Sequence, residues 1–434
     1  MVERREIKTQ FTSETGSYIV QQSAWAPKRE VERLMKRYLY AGAALFALAG
    51  AMGVGSRVLG KTNGEVTAPK FEVDPLWPKP LPNHWRIGMT IGVAIDPQDH
   101  VWIIHRPKTI VPGELHAEAN PPMSECCIKA PPVIEFDKEG NVIGSWGGPG
   151  QGYDWPISEH GITVDYKGNV WVGGNGGVGS DPEYKDVYHD NHILKFTAAG
   201  KFLLQIGKPR ASKGSNDTDN VKGIAQTFVD PKTNEVFVAD GYGNHRVVVF
   251  DADTGKYKRH WGAYGKRPDD ANLGKYNPDA PPSQQFANPV HCVVLSNDNL
   301  LYICDRVNDR IQVFKPDGTF VKEVFIAKKT LGAGSAWEIA FSKDPQQKYI
   351  YLTDGENEKV YIMDRASMEI LTAFGDGGRI PGEFFGVHSI AVDSKGNIYT
   401  TETFQGQRIQ KFVYKGMAPV TKKDQGVVWP AKKG

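Results

Sequence analysis

A pattern that recurs six times along the chain limits its folding options more than any other feature. The copies are "IGVAIDPQDHVWIIHR" (91–106), "HGITVDYKGNVWVGG" (160–174), "AQTFVDPKTNEVFVAD" (225–240), "HCVVLSNDNLLYICD" (291–305), "WEIAFSKDPQQKYIYLTD" (337–354) and "HSIAVDSKGNIYTTE" (388–402). Each reads as an apolar strand, a turn rich in Asp, Asn, Lys and Gly, and a second strand with an aromatic or β-branched run. A third strand follows most copies, as in "GNHRVVVF" (243–250) and "VNDRIQVF" (307–314), and a fourth follows several, as in "GKFLLQIG" (200–207). Their intervals are too uneven for a plain solenoid, and no segment sustains a helical period. Three or four strands repeated six times predict an all-β fold, a six-bladed β-propeller. The 47 glycines and 28 prolines in 434 residues agree with many short strands and turns.

The propeller is expected over residues 85–415, with a long insertion at 108–132 between the second and third strands of blade 1. Ahead of it, 1–34 is a polar extension, and 35–60 reads as a signal peptide or signal anchor. That segment holds 19 uncharged residues, 38–56, after "MKR" and before Arg57, with a small-x-small site at Ala47-Leu48-Ala49. The uncleaved alternative is a membrane anchor through 38–56. Either reading places the protein outside the cytoplasm, in the periplasm or the extracellular space. Residues 61–84 form a linker whose "FEV" (71–73) could close the ring by pairing with the last blade. Residues 416–434 are a tail. A formal charge of +2, without a basic stripe, gives no reason to expect nucleic acid.

Aligned on their first strands, the six copies place Ile91, His160, Ala225, His291, Trp337 and His388 at one position. Histidine thus occupies blades 2, 4 and 6, which a six-fold ring relates by a three-fold axis. First strands line the channel, so three imidazoles would converge there, the arrangement of a three-histidine zinc site with an open fourth position. The plainer alternative is packing near the channel mouth. Second strands end on the face where first strands begin. They bring Arg106, Tyr242, Asp305, Arg306 and Asp354 to that mouth. Arg106 could clamp a carboxylate through two parallel hydrogen bonds. Tyr242 beside a cation has the chemistry of a general base.

The copies resemble NHL repeats, whose blades open with "P-x-G-I-A-V-D" and continue into "N-x-R-I-x-x-F". At the histidine constellation the chain also resembles the lyase domain of peptidylglycine α-amidating enzymes. Arg106 in "WIIHRP", Tyr242 in "VADGYGNHRVVVF" and the histidines that open alternate blades carry that resemblance. It implies a zinc-dependent lyase acting on a small-molecule or peptide substrate, a peptidyl-α-hydroxyglycine giving an amide and glyoxylate. His160, His291 and His388 would be the metal ligands and Arg106 and Tyr242 the catalytic pair, with a structural calcium as a second ion. Where the family tends to carry "M-P-H-D", this chain has Gly386-Val387-His388-Ser389. No copper monooxygenase segment precedes the propeller, so a separate protein is expected to make the hydroxyglycine.

Other readings have their own signals. A non-catalytic NHL propeller would bind a protein or glycan on its channel face. A calcium-dependent lactonase would need inward acidic and amide groups rather than imidazoles. Among the four cysteines, Cys292 could pair with Cys304 across one hairpin, or Cys304 with the insertion's Cys126 or Cys127. A vicinal Cys126–Cys127 pair ranks last. His189 and His192 in "YHDNH" read as solvated. Oligomeric state is open.

Overall fold

The structure, a computed structural model, describes residues 65–178 and 185–430. The expected extension, signal segment and anchor, all within 1–60, lie outside the described residues. Six four-stranded antiparallel sheets make up the body. Blades 1 to 5 open with the inner strands Met89–Ile95, Glu159–Val164, Ile224–Asp230, Val290–Leu295 and Glu338–Phe341. Blade 6 runs from Val387–Val392 through Ile398–Glu402 and Arg408–Pro419, and its outermost strand is Thr67–Asp74 from the other end of the chain. Phe71 pairs with Tyr414 and Val73 with Phe412 in that closure. The ring therefore extends past the expected 85–415 at both ends, and Val428 still packs in the core.

The hairpins follow directly from their residues. In blade 2, Asp165 Oδ1 accepts the backbone N–H groups of Lys167 and Asn169, each at 2.9 Å. Gly168 takes the left-handed φ of +77° that this turn requires. The other oxygen of Asp165 accepts the indole N–H of Trp171 at 2.9 Å, locking the turn to the second strand. Asp96 holds Trp102 the same way, and Asp393 holds Tyr399.

Between blades, the sheet faces bury Val, Ile and Phe against each other. Phe237, Val247 and Val249 of blade 3 meet Val293, Leu301 and Ile303 of blade 4 in one cluster. The insertion leaves blade 1 after Val101–Arg106 and rejoins at Val133–Phe136. Its Ile128–Lys129 pairs in parallel with Trp85–Arg86.

Candidate active site

At its start, the inner strand of nearly every blade breaks register. The irregularity falls between Thr90 and Gly92, His160 and Ile162, Ile224 and Gln226, Val290 and Cys292, and Val387 and Ser389. Such a bulge opposes two residues to one and re-aims a side chain. The residues at these breaks include His160, His291 and His388, and the structure brings their rings together. Ring centroids lie 5.4 Å apart for His160 and His291, 4.9 Å for His160 and His388, and 4.8 Å for His291 and His388. One nitrogen from each ring lies within 4.8 Å of the others. All three side chains are buried.

The odd blades complete the pattern. His160 Nδ1 lies 2.9 Å from the Ala225 carbonyl and His291 Nδ1 lies 2.7 Å from the Trp337 carbonyl. His388 is hydrogen-bonded to the Ile91 carbonyl. Ile91, Ala225 and Trp337 are the non-histidine members of the same register position. A carbonyl only accepts, so Nδ1 of His160 and of His291 carries the proton and their Nε2 keeps its lone pair. Burial, reinforced by neighbouring charges, holds all three imidazoles well below their usual range, so they are neutral at pH 7. Neutral imidazoles with oriented Nδ1–H groups suit a metal ion.

Tyr242 and two arginines surround this triad. The Tyr242 hydroxyl lies 2.9 Å from His160 Nε2 and 3.2 Å from His291 Nε2. Arg306 donates from Nη1 to the same hydroxyl at 3.2 Å, and its guanidinium stacks 4.5 Å over the Trp337 ring. Arg106 donates through Nε to the Glu159 carbonyl and through Nη2 to Asn175 Oδ1, both at 2.8 Å. Burial lowers the Arg106 pKa, while Tyr242, Glu159 and Asp190 oppose that shift. With Nε committed, a carboxylate clamp would come from Nη1 and the second hydrogen of Nη2.

No family model matches the chain. Peptidyl-glycine alpha-amidating monooxygenase of Mus musculus is 26% identical over 320 residues, which are 72% of this chain and 29% of that protein. Peptidyl-alpha-hydroxyglycine alpha-amidating lyase 1 of Drosophila melanogaster is 25% identical, over 79% of this chain and 59% of its own length. NHL repeat-containing protein 3 of Mus musculus is 23% identical, over 80% and 84% respectively. The chain is a six-bladed β-propeller that is similar to amidating lyases and to an NHL repeat-containing protein. It spans under a third of the length of the monooxygenase it matches.

In this six-bladed propeller several expectations need correction. Cys126 bonds Cys127, the pairing ranked last, and Cys292 bonds Cys304, so the insertion is not tied to blade 4. The four thiols pair as neighbours because Cys292 and Cys304 face each other across the strand pair and leave Cys304 committed. His189 and His192 are buried rather than solvated. Their partners are the Asp190 carboxylate at 3.0 Å and the Asp154 carbonyl at 2.6 Å, which keep them apart from the triad. Asp305 and Asp354 serve the scaffold. Asp305 bonds Arg310 and Asn308, and Asp354 bonds Asn357.

Arg306 was legible at the mouth, in "CDR", but its stacking on Trp337 and reach to Tyr242 were not. Glu338, beneath the histidines, carried no sequence signal beyond standing next to Trp337, and Ser389 was marked only as the departure from "M-P-H-D".

Proposed function

We propose that this propeller is a zinc-dependent lyase that cleaves the C–N bond of a carbinolamide, such as a peptidyl-α-hydroxyglycine, into an amide and glyoxylate. One observation carries the reading: three neutral, buried imidazoles offer their ε-nitrogens around one point, with a phenol and two guanidinium groups beside it. The names of the relatives agree with it. His160, His291 and His388 would hold the zinc, which when bound supplies Lewis acidity toward the substrate hydroxyl.

The remaining steps fall to side chains. Arg106 binds the substrate carboxylate and orients the α-carbon. The Tyr242 oxygen takes the hydroxyl proton as the aldehyde C=O forms and the C–N bond breaks, then returns it to the leaving nitrogen. Arg306, against that oxygen, stabilises the anionic form in which it takes the proton. The hydroxyl proton ends on the amide, so the reaction needs no oxidant or reductant. The two disulfides support work in an oxidising compartment, consistent with export.

Zinc content and glyoxylate release from an N-acyl-α-hydroxyglycine test the reading together. The wild-type chain is expected to hold about one zinc and to release glyoxylate. His160→Ala, His291→Ala and His388→Ala lose both. Tyr242→Phe keeps the metal and loses about 10²–10⁴-fold in kcat/KM. A wild-type protein that takes up no zinc and releases no glyoxylate overturns the proposal. Tight capture of a protein or glycan by such a protein would instead favour the non-catalytic NHL reading.

A further inference from the structure

The three-fold pattern around the histidines is broken at one ring. His160 and His291 each rest on a single carbonyl. His388 also has Ser389 Oγ 3.3 Å from its Nδ1. That hydroxyl lies 2.7 Å from Glu338 Oε2 and 3.1 Å from the Ile91 carbonyl. With one proton to give, it serves the closer carboxyl better. Glu338 opens the inner strand of blade 5, one residue after Trp337, and is 6% exposed. Its Oε1 accepts the Gln226 amide at 2.9 Å, and Gln226 Oε1 accepts the Val293 N–H at 2.8 Å. The network joins blades 3, 4, 5 and 6 just under the histidines.

Below it lies a cavity of about 270 Å³ walled by all six inner strands, with Glu338 and Gln226 among its polar lining. Among the described residues no lysine or arginine pairs with Glu338, and burial pushes its carboxyl up to about 8. A carboxyl kept at that cost beneath a functional site suggests use rather than stability.

We propose that Glu338 is a positioning residue for His388, acting through the Ser389 hydroxyl to hold the imidazole in ligating orientation. This rests on the reading that the three histidines bind zinc. A carboxylate behind a ligating histidine fixes its tautomer and raises its donor strength. Here a carboxyl group comes from a neighbouring blade and fixes the orientation of the hydroxyl that faces the ring.

Zinc affinity of the full chain, measured by competition with a chromogenic chelator, tests the assignment. Glu338→Gln and Ser389→Ala are each expected to weaken zinc binding by roughly 10–100-fold. The double variant should lose no more than the worse single, because both act through one chain of hydrogen bonds. The thermal midpoint of metal-free Glu338→Gln should equal or exceed that of wild type, since a buried acid is removed. A merely structural role would lower midpoint and affinity together. Unchanged zinc affinity in Glu338→Gln overturns the positioning role alone. A wild-type chain that binds no zinc overturns both this role and the reading on which it rests.

Discussion

His105 and His160 are both buried, but their ring nitrogens are spent differently. His105 accepts the Gly88 N–H at Nδ1, 3.2 Å away, and donates from Nε2 to the Pro131 carbonyl at 3.0 Å. Both nitrogens serve the scaffold, and nothing remains for a ligand. The triad histidines instead give Nδ1 to the scaffold and offer Nε2 to the mouth. Burial pushes His105 down to about 4, against about 6.5 in an unfolded chain. Acid therefore protonates the unfolded chain first. The contribution of His105 is intact above pH 6.5 and is lost as pH falls toward 4. Between pH 7.5 and 5 this group should cost roughly 2 kcal/mol of stability. Urea midpoints at the two pH values should show His105→Gln with a weaker pH dependence by about that amount. Equal pH dependence would show that His105 does not titrate in this window.

Elements are joined by a recurrent ion pair. The residue that ends a second strand faces an arginine that begins the third: Asp240 with Arg246, Asp305 with Arg310, and Glu402 with Arg408. The closest distances are 2.8, 2.8 and 2.6 Å. In blades 3 and 4 this is the physical content of the "N-x-R" in the repeat, and it was legible because the arginine recurs five or six residues after the acid. The hairpin turns were legible for the same reason, their Asp and Gly having no substitutes in the turn. The register breaks were not, because a bulge adds a residue without changing the pattern of apolar positions on either side. Alternation of histidine around the ring still exposed the triad. Glu338 stayed hidden because its meaning depends on Ser389, about fifty positions away in sequence and adjacent only across blades. Arg310 and Asp305 are fully buried, so removing one partner strands a charge. Arg310→Met should cost about 3–5 kcal/mol in chemical denaturation, and Asp305→Asn with Arg310→Met should recover much of it. A double variant as unstable as the single would mean that the pair does more than neutralise itself.

At the scale of the whole molecule, ring closure and the site are one problem. The histidines come from blades 2, 4 and 6, and blade 6 is completed by Thr67–Asp74 from the start of the described chain. Phe71, 2% exposed, anchors that strand with its ring 5.4 Å from Tyr351 and 5.7 Å from Phe374. Trp77, just beyond, bridges Tyr399 of blade 6 and Phe136 of blade 1 at 4.9 and 5.7 Å. Loosening the closure should let blade 6 drift and separate His388 from its partners. Phe71→Ala creates a cavity at the closure and should cost about 3–5 kcal/mol. If the three histidines hold zinc as proposed, zinc bound only by the closed ring would work against that loss, by about 4 kcal/mol when its free concentration is a thousand times Kd. Denaturation midpoints with and without zinc should therefore show most of the Phe71→Ala deficit restored by the metal. The same zinc should leave Phe71→Ala combined with His388→Ala unrescued, because two blades then share the ion and the third is free to open. Rescue of the combined variant would show that closure does not depend on the histidine of blade 6.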